Sequence, residues 1–142
     1  YACPACRGLD ATLLAELESR RDVTVVLKHW PILGAASQTA AEVALAAFYA
    51  APDADLAPLH AAMMRAPLPL SEVALDAALR NAGRDPAYIA QARTTFADRI
   101  AEALARVTKE ARSLRLDGTP VLLTPTRIVR GAPSGPQLRR LF

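Results

Sequence analysis

Leu9, Leu13, Leu14 and Leu17 recur on one helical face, and the pattern predicts a helix from Pro4 to about Arg20. The period then shortens. Val23-Thr24-Val25-Val26-Leu27 is a β-branched run of the kind buried on both faces of a parallel sheet, so a strand is expected there. Pro31 in Lys28-His29-Trp30-Pro31 blocks its continuation, and Gly34 opens the way to a helix from about Ala35 to Ala51. Asp53 is positioned to cap a helix carrying Leu56, Leu59 and Met63, which Pro67 and Pro69 stop; Ser71 caps another that runs to Gly83. Asp85-Pro86 starts a long helix whose face is Ile89, Phe96, Ile100, Leu104, Val107, Ala111 and Leu114, with a break expected near Thr94-Thr95. Phe48, Leu56, Met63, Leu79, Phe96 and Ile100 are the expected core of this helical block. Alternation returns at the end: Val121–Thr124 and Arg127–Arg130 read as a hairpin around Pro125-Thr126. Ser134 then caps a short helix with Leu138, Leu141 and Phe142 on one side.

The order is therefore helix, strand, helical block, hairpin, helix. The first strand and the hairpin can share one sheet if the helices between them form an inserted cap. No repeat, low-complexity tract or linker divides the chain, and 142 residues suffice for one core without staples.

Chemistry concentrates at the front of the first helix. Cys3 and Cys6 are the only two cysteines, in Cys3-Pro4-Ala5-Cys6. Unpaired N–H groups and the positive end of the helix dipole favour a thiolate at the first cysteine, and Pro4 suits a first helical turn. Thiol pKa values at such positions fall to about 3.5–7.5, which makes the thiolate both attacking group and leaving group. Cys3 is the candidate nucleophile and Cys6 its resolving partner. A four-ligand zinc site lacks its second pair, since His29 and His60 are isolated, and Arg7 occupies the position where haem attachment requires His. A structural disulfide remains the rival reading, but so small a loop removes little entropy from the unfolded chain.

Composition narrows the classes. The sequence is 52% hydrophobic with 5% aromatic residues, so its core is built largely from Ala, Leu and Val. The formal charge of +3 comes from arginines scattered among acids, without the clustered basic face and stacking aromatics of a nucleic-acid binder. No apolar run approaches the roughly 20 residues that span a bilayer. No secretory leader is legible, and any such segment is expected upstream of Tyr1.

Three segments together resemble the DsbA-like thiol:disulfide oxidoreductases of the thioredoxin superfamily. They are Cys3-Pro4-Ala5-Cys6; Lys28-His29-Trp30-Pro31-Ile32-Leu33-Gly34 with the alanine-rich helix behind it; and Gly118-Thr119-Pro120-Val121 through Gly131-Ala132. The resemblance covers nearly the whole chain. It implies an α/β thioredoxin-like fold, one domain over 1–142, with an all-helical insertion over about 35–114. It implies a cis proline at Pro120 beside the cysteine pair, so that Pro4, Ala5, Thr119 and Pro120 form the substrate-binding surround of Cys3 and Cys6. The family's sheet also has a central strand leading into the Cys-Pro-x-Cys helix. No residues before Tyr1 supply it, so the chain is expected to be part of a longer protein or to receive that strand from another chain.

The implied function is disulfide exchange with protein thiols and disulfides by an extracytoplasmic, periplasmic oxidase. It needs no metal or organic cofactor and binds no nucleic acid; a membrane quinone-linked protein would reset the cysteine pair. Ala5 stands where many strongly oxidising relatives have His or another polar or aromatic residue, which removes side-chain help for the Cys3 thiolate. Arg7 is a candidate source of positive potential or, equally, a solvated first-turn arginine, and His29 is a candidate for proton transfer that reads more readily as a rim residue. Lys28 reads as a rim residue, and His60, near Met63 and Met64, as a packing residue. The alternatives are a cytosolic reductase or glutathione-linked relative, and a non-enzymatic module binding a partner or Cu(I) through two thiolates.

Overall fold

Seven helices and one two-stranded sheet are formed among the described residues, 1–18 and 20–141, of the computed structural model. Phe142, expected on the apolar side of the last helix, lies outside them. In order they are α1 (Pro4–Leu17), α2 (Ala35–Ala50), α3 (Ala57–Arg65), α4 (Glu72–Asn81), α5 (Pro86–Thr95), α6 (Ala97–Ser113), β1 (Val121–Leu123), β2 (Ile128–Arg130) and α7 (Gly135–Arg139). They divide into two compact units: Tyr1–Ala2 with His29–Arg115, and Cys3–Lys28 with Leu116–Phe142.

The second unit carries both cysteines. Helices α1 and α7 pack together through Leu9, Leu13 and Leu138, with Leu17, Leu122 and Leu141 against them. Strands β1 and β2 are antiparallel in the register Val121↔Arg130, Leu122↔Val129, Leu123↔Ile128. Thr124 closes the turn: its N–H donates to Arg127 O at 2.9 Å and its Oγ1 accepts from Arg127 N–H at 3.0 Å. Gln137 Oε1 accepts from the N–H and Oγ of Ser134 at 2.8 and 2.9 Å, fixing the start of α7. Arg139 pairs with Glu16, tying α7 to α1.

Two expectations fail in this unit. Helix α1 ends at Leu17 rather than Arg20. The strand expected over Val23–Leu27 does not form, and Val25, Val26 and Leu27 are 41%, 74% and 51% exposed. A β-branched run becomes a strand only when a neighbour takes its N–H and C=O groups, and the one ladder among the described residues joins β1 to β2.

In the first unit, α2 packs on α5 and α3 on α4. Alanines at 40, 41, 44, 46 and 47 are buried, so α2 presents small side chains that admit close neighbours. Gly34, at φ 82°, is its N-cap. Ser71 Oγ accepts from Ala74 N–H at 3.2 Å to start α4, and Asp85 Oδ1 from Ala87 N–H at 3.0 Å to start α5. The side chain that starts α3 lies later in the chain than expected: Asp55, not Asp53, accepts from Ala57 N–H at 2.9 Å. The long terminal pattern breaks at Phe96, next to Thr94-Thr95 as expected, and the hydroxyls of those two threonines donate back to the carbonyls of Ala90 and Gln91. Met63, Leu79 and Ile100 are buried, and Leu56 and Phe96 are half-buried against the cluster. Phe48 is no core residue: it is 44% exposed, its ring tilted against Tyr49.

These placements set two expected outcomes. Met63 is fully buried, so Met63→Ala is expected to lower unfolding free energy by about 2–5 kcal/mol through lost burial and a residual cavity. Urea denaturation with an unchanged slope checks it. Asp85→Ala removes one cap and is expected to cost about 1 kcal/mol in the same measurement.

Candidate active site

Cys3 is the N-cap of α1, with extended backbone (φ −86°, ψ 116°), and Pro4 takes the first helical position. Its Sγ accepts from Cys6 N–H at 3.3 Å, so the sulfur does what a serine or aspartate oxygen does at other helix starts. The same Sγ donates to the Thr119 carbonyl at 3.6 Å. The Thr119–Pro120 peptide bond is cis, and so is Leu68–Pro69, which no pattern in the sequence marks. Pro120 is buried, and its carbonyl accepts from Gly131 N–H at 2.9 Å at the base of the hairpin. Residues 116 positions apart are thus brought onto one sulfur by the start of α1 and the entry to β1. Pro4 and Ala5 are exposed beside it, and Thr119 is half-buried. Both cysteines are free thiols.

The two thiols are driven apart electrostatically. Burial opposes ionisation of Cys3 and is the largest single influence. It is outweighed by hydrogen bonds from the Cys6 and Thr119 side chains and from the Cys6 and Ala5 N–H groups, so the Cys3 thiol is held below its ordinary value. Burial pushes Cys6 up to about 11, and its hydrogen bond to Cys3 adds to the rise. Residue exposure ranks the pair the other way: Cys3 is 9% exposed and Cys6 half-buried. A helix-start cysteine would be expected to be the more open of the two, and for the residue as a whole that fails. Reactivity follows the sulfur and its thiolate fraction, and on that measure Cys3 is the readier nucleophile.

Arg7, half-buried in the first turn of α1, has its pKa lowered by burial. Lys28 is exposed. In the other unit, Tyr1, His29 and His60 form a ring cluster that their wide separation in sequence conceals. Tyr1 stacks on His29 and meets His60 edge-on, both at 5.5 Å, and its hydroxyl lies 3.2 Å from His60 Nδ1. His60 thus packs as expected, though by a hydrogen bond to Tyr1. Burial pushes His29 down to about 4, which leaves a neutral imidazole at pH 7. The one sequence signal for the cluster is an aromatic residue two positions before Cys3. Among the described residues, no group of three or more His, Cys, Asp or Glu side chains could hold a metal ion, and no helix is long and apolar enough to cross a membrane.

The family description "DSBA-like thioredoxin domain" matches residues 1–142. No curated protein matches the chain. Among solved structures, a thioredoxin-like oxidoreductase from Silicibacter pomeroyi DSS-3 is 27% identical with a TM-score of 0.89, over 99% of this chain and 79% of that one. A periplasmic thioredoxin-like protein from Salmonella enterica serovar Typhimurium is 24% identical with a TM-score of 0.85, over 99% and 76%. The thiol-disulfide exchange protein alpha-DsbA2 from Wolbachia pipientis is 24% identical with a TM-score of 0.90, over 99% and 74%. At 24% identity the last two speak to the fold alone.

Proposed function

Because the chain belongs to the DSBA-like thioredoxin domain family of thiol–disulfide oxidoreductases, with the thioredoxin-like α/β fold, we propose that it exchanges disulfides with protein substrates through Cys3 and Cys6. The observation that carries this reading is the Cys3 sulfur itself, which accepts from Cys6 N–H at 3.3 Å and contacts the Thr119 carbonyl at 3.6 Å. An anion at that sulfur is stabilised by the groups that start the helix, and the sulfur that must wait its turn is kept protonated. We read the chain as one domain, 1–142, with the helical block over about 35–114 as its insertion.

In the oxidising direction a substrate thiolate attacks Sγ of Cys3 in the Cys3–Cys6 disulfide. The substrate–Cys3 bond forms, the S–S bond breaks, and Cys6 leaves as a thiolate that takes up a proton. A second substrate thiolate attacks the substrate sulfur, forms the substrate disulfide and expels Cys3 as a thiolate. Two electrons pass from substrate to protein. In the reverse direction Cys3 attacks a substrate disulfide and Cys6 resolves the mixed species. Lowering the Cys3 pKa stabilises the reduced protein and so favours the oxidising direction. Pro4, Ala5, Thr119 and Pro120 surround the sulfur that the substrate must reach, and are the proposed substrate-binding residues. Oxidase activity requires a partner that reoxidises the pair, for which a membrane quinone-linked protein is the proposal. An extracytoplasmic setting is part of the proposal, because a disulfide of this kind persists in an oxidising compartment.

Equilibration of the purified protein with a series of glutathione redox buffers tests the reading. The expected result is a reversible Cys3–Cys6 disulfide more oxidising than about −200 mV, a value between those of glutaredoxins and strong oxidants. A pair that never closes, or closes only under conditions that oxidise exposed thiols at random, would sink it.

A further inference from the structure

The formal charge of +3 is not spread over the molecule. The helical unit, Tyr1–Ala2 with His29–Arg115, carries nine basic and nine acidic side chains, whereas the unit with the cysteines carries eight basic and five acidic ones. The excess of cations therefore lies entirely on the unit that holds the reacting sulfurs. Within that unit the segment through Lys28 is balanced, four against four, so the imbalance comes from Leu116 onward: Arg127, Arg130, Arg139 and Arg140 against Asp117. All four arginines are exposed, and Arg139 is paired with Glu16.

The hairpin register carries this charge to the site. Arg130 lies directly opposite Val121, the residue after Pro120, and the Gly131 N–H that follows it bonds the Pro120 carbonyl at 2.9 Å. Opposed residues in an antiparallel pair are about 4.5–5.5 Å apart at Cα. The Arg130 Cα thus stands within about 10 Å of the backbone that contacts Cys3, and at low ionic strength, where the Debye length grows to about 30 Å at 0.01 M salt, its charge acts at the site wherever the side chain extends. Arg127 lies at the turn end of the same strand. A substrate segment held at Cys3 moves in the field of these cations, and such fields change association rates by about 10–10³-fold at low salt.

We infer that the protein prefers substrate segments whose reacting cysteine is flanked by acidic residues, selected by the cationic hairpin of the redox unit. This rests on the exchange chemistry proposed above and names its substrate class.

The test uses three synthetic peptides, identical except that Asp-Glu, Ser-Gln or Lys-Arg flanks a single cysteine, each as its mixed disulfide with 2-mercaptoethanol. Reduced protein attacks through the Cys3 thiolate, forming the Cys3–peptide disulfide and releasing 2-mercaptoethanol as a thiolate that is then protonated. Cys6 next attacks Cys3, forming Cys3–Cys6 and releasing the peptide thiolate. The mixed disulfide gains the two electrons that the protein dithiol loses. Each rate is divided by the rate of the same peptide with free 2-mercaptoethanol, which removes the intrinsic effect of flanking charge. The expected acidic-to-basic ratio is about 10 in 20 mM salt and falls towards about 2 in 0.5 M salt. Arg127→Ser/Arg130→Ser is expected to lower the low-salt ratio about threefold without changing the neutral peptide's rate. Equal corrected rates for the three peptides, or a ratio insensitive to salt, overturn the preference while leaving the exchange reading intact. A ratio unchanged in the double variant overturns the assignment to the hairpin. Failure to react with any peptide overturns the exchange reading and the preference with it.

Discussion

Cys3→Ser is expected to lower exchange with a reduced or disulfide-bonded protein substrate by on the order of 10³ or more, because no other group at the site can form the covalent intermediate. Cys6→Ser is expected to behave differently. With Cys3 still held as the readier thiolate, first attack proceeds, but the mixed disulfide has no internal thiol to resolve it and accumulates as a reducible adduct. Single-turnover kinetics and non-reducing gels of the two variants separate these fates. Equal loss in both without adduct would contradict the division of roles. Neither exchange should perturb the fold greatly, since serine can keep the N-cap bond to residue 6 that the Cys3 sulfur makes.

The second large effect is on pH. With Cys6 at about 11, its thiolate fraction at pH 7 is about 10⁻⁴, whereas Cys3 ionises below the ordinary thiol value. Iodoacetamide is therefore expected to label Cys3 of the reduced protein at neutral pH, with Cys6 becoming reactive only as pH approaches 11. Peptide mapping across a pH series from mildly acidic to strongly alkaline reads both curves, and preferential labelling of Cys6 at pH 7 would reverse the assignment. Stability follows with opposite signs for the two groups. The lowered Cys3 pKa contributes stability to the reduced protein above the unfolded thiol value, and that contribution is lost as pH falls through the folded value. The raised Cys6 pKa contributes stability that is present below about 9 and lost as pH rises towards 11. Denaturation of the reduced protein is thus expected to become easier between about pH 9 and 11, and Cys6→Ala should flatten that slope.

Whatever depends only on near neighbours along the chain is legible in the sequence. Helix starts announce themselves through short polar side chains followed by proline or an apolar face, and Ser71 and Asp85 do as their chemistry requires. The period of Ile89, Ile100 and Leu104 identifies a buried helical face because a residue's position around a helix depends only on its neighbours in sequence. Cys3-Pro4-Ala5-Cys6 likewise specifies a thiol at a helix start, since the cap bond closes over three residues.

Tertiary structure decided whatever needs a distant partner. Val23–Leu27 has every local property of a strand, yet a strand exists only when another chain segment takes its hydrogen bonds, and none does so among the described residues. Phe48 shares its helix with buried alanines, but its exposure depends on which side neighbouring helices cover. Choosing Asp55 over Asp53 as a cap turns on where the backbone bends, a matter of packing rather than residue type. The contact between Cys3 and the Thr119 carbonyl spans 116 positions, and the opposite shifts of the two thiols depend on burial and on the Cys3–Cys6 hydrogen bond, which lowers Cys3 and raises Cys6. Sequence alone determined which atoms can react and, through the helix start, which sulfur ionises first; the fold determined how far Cys6 is pushed the other way, because solvation and hydrogen bonding at a sulfur are set by every segment that surrounds it.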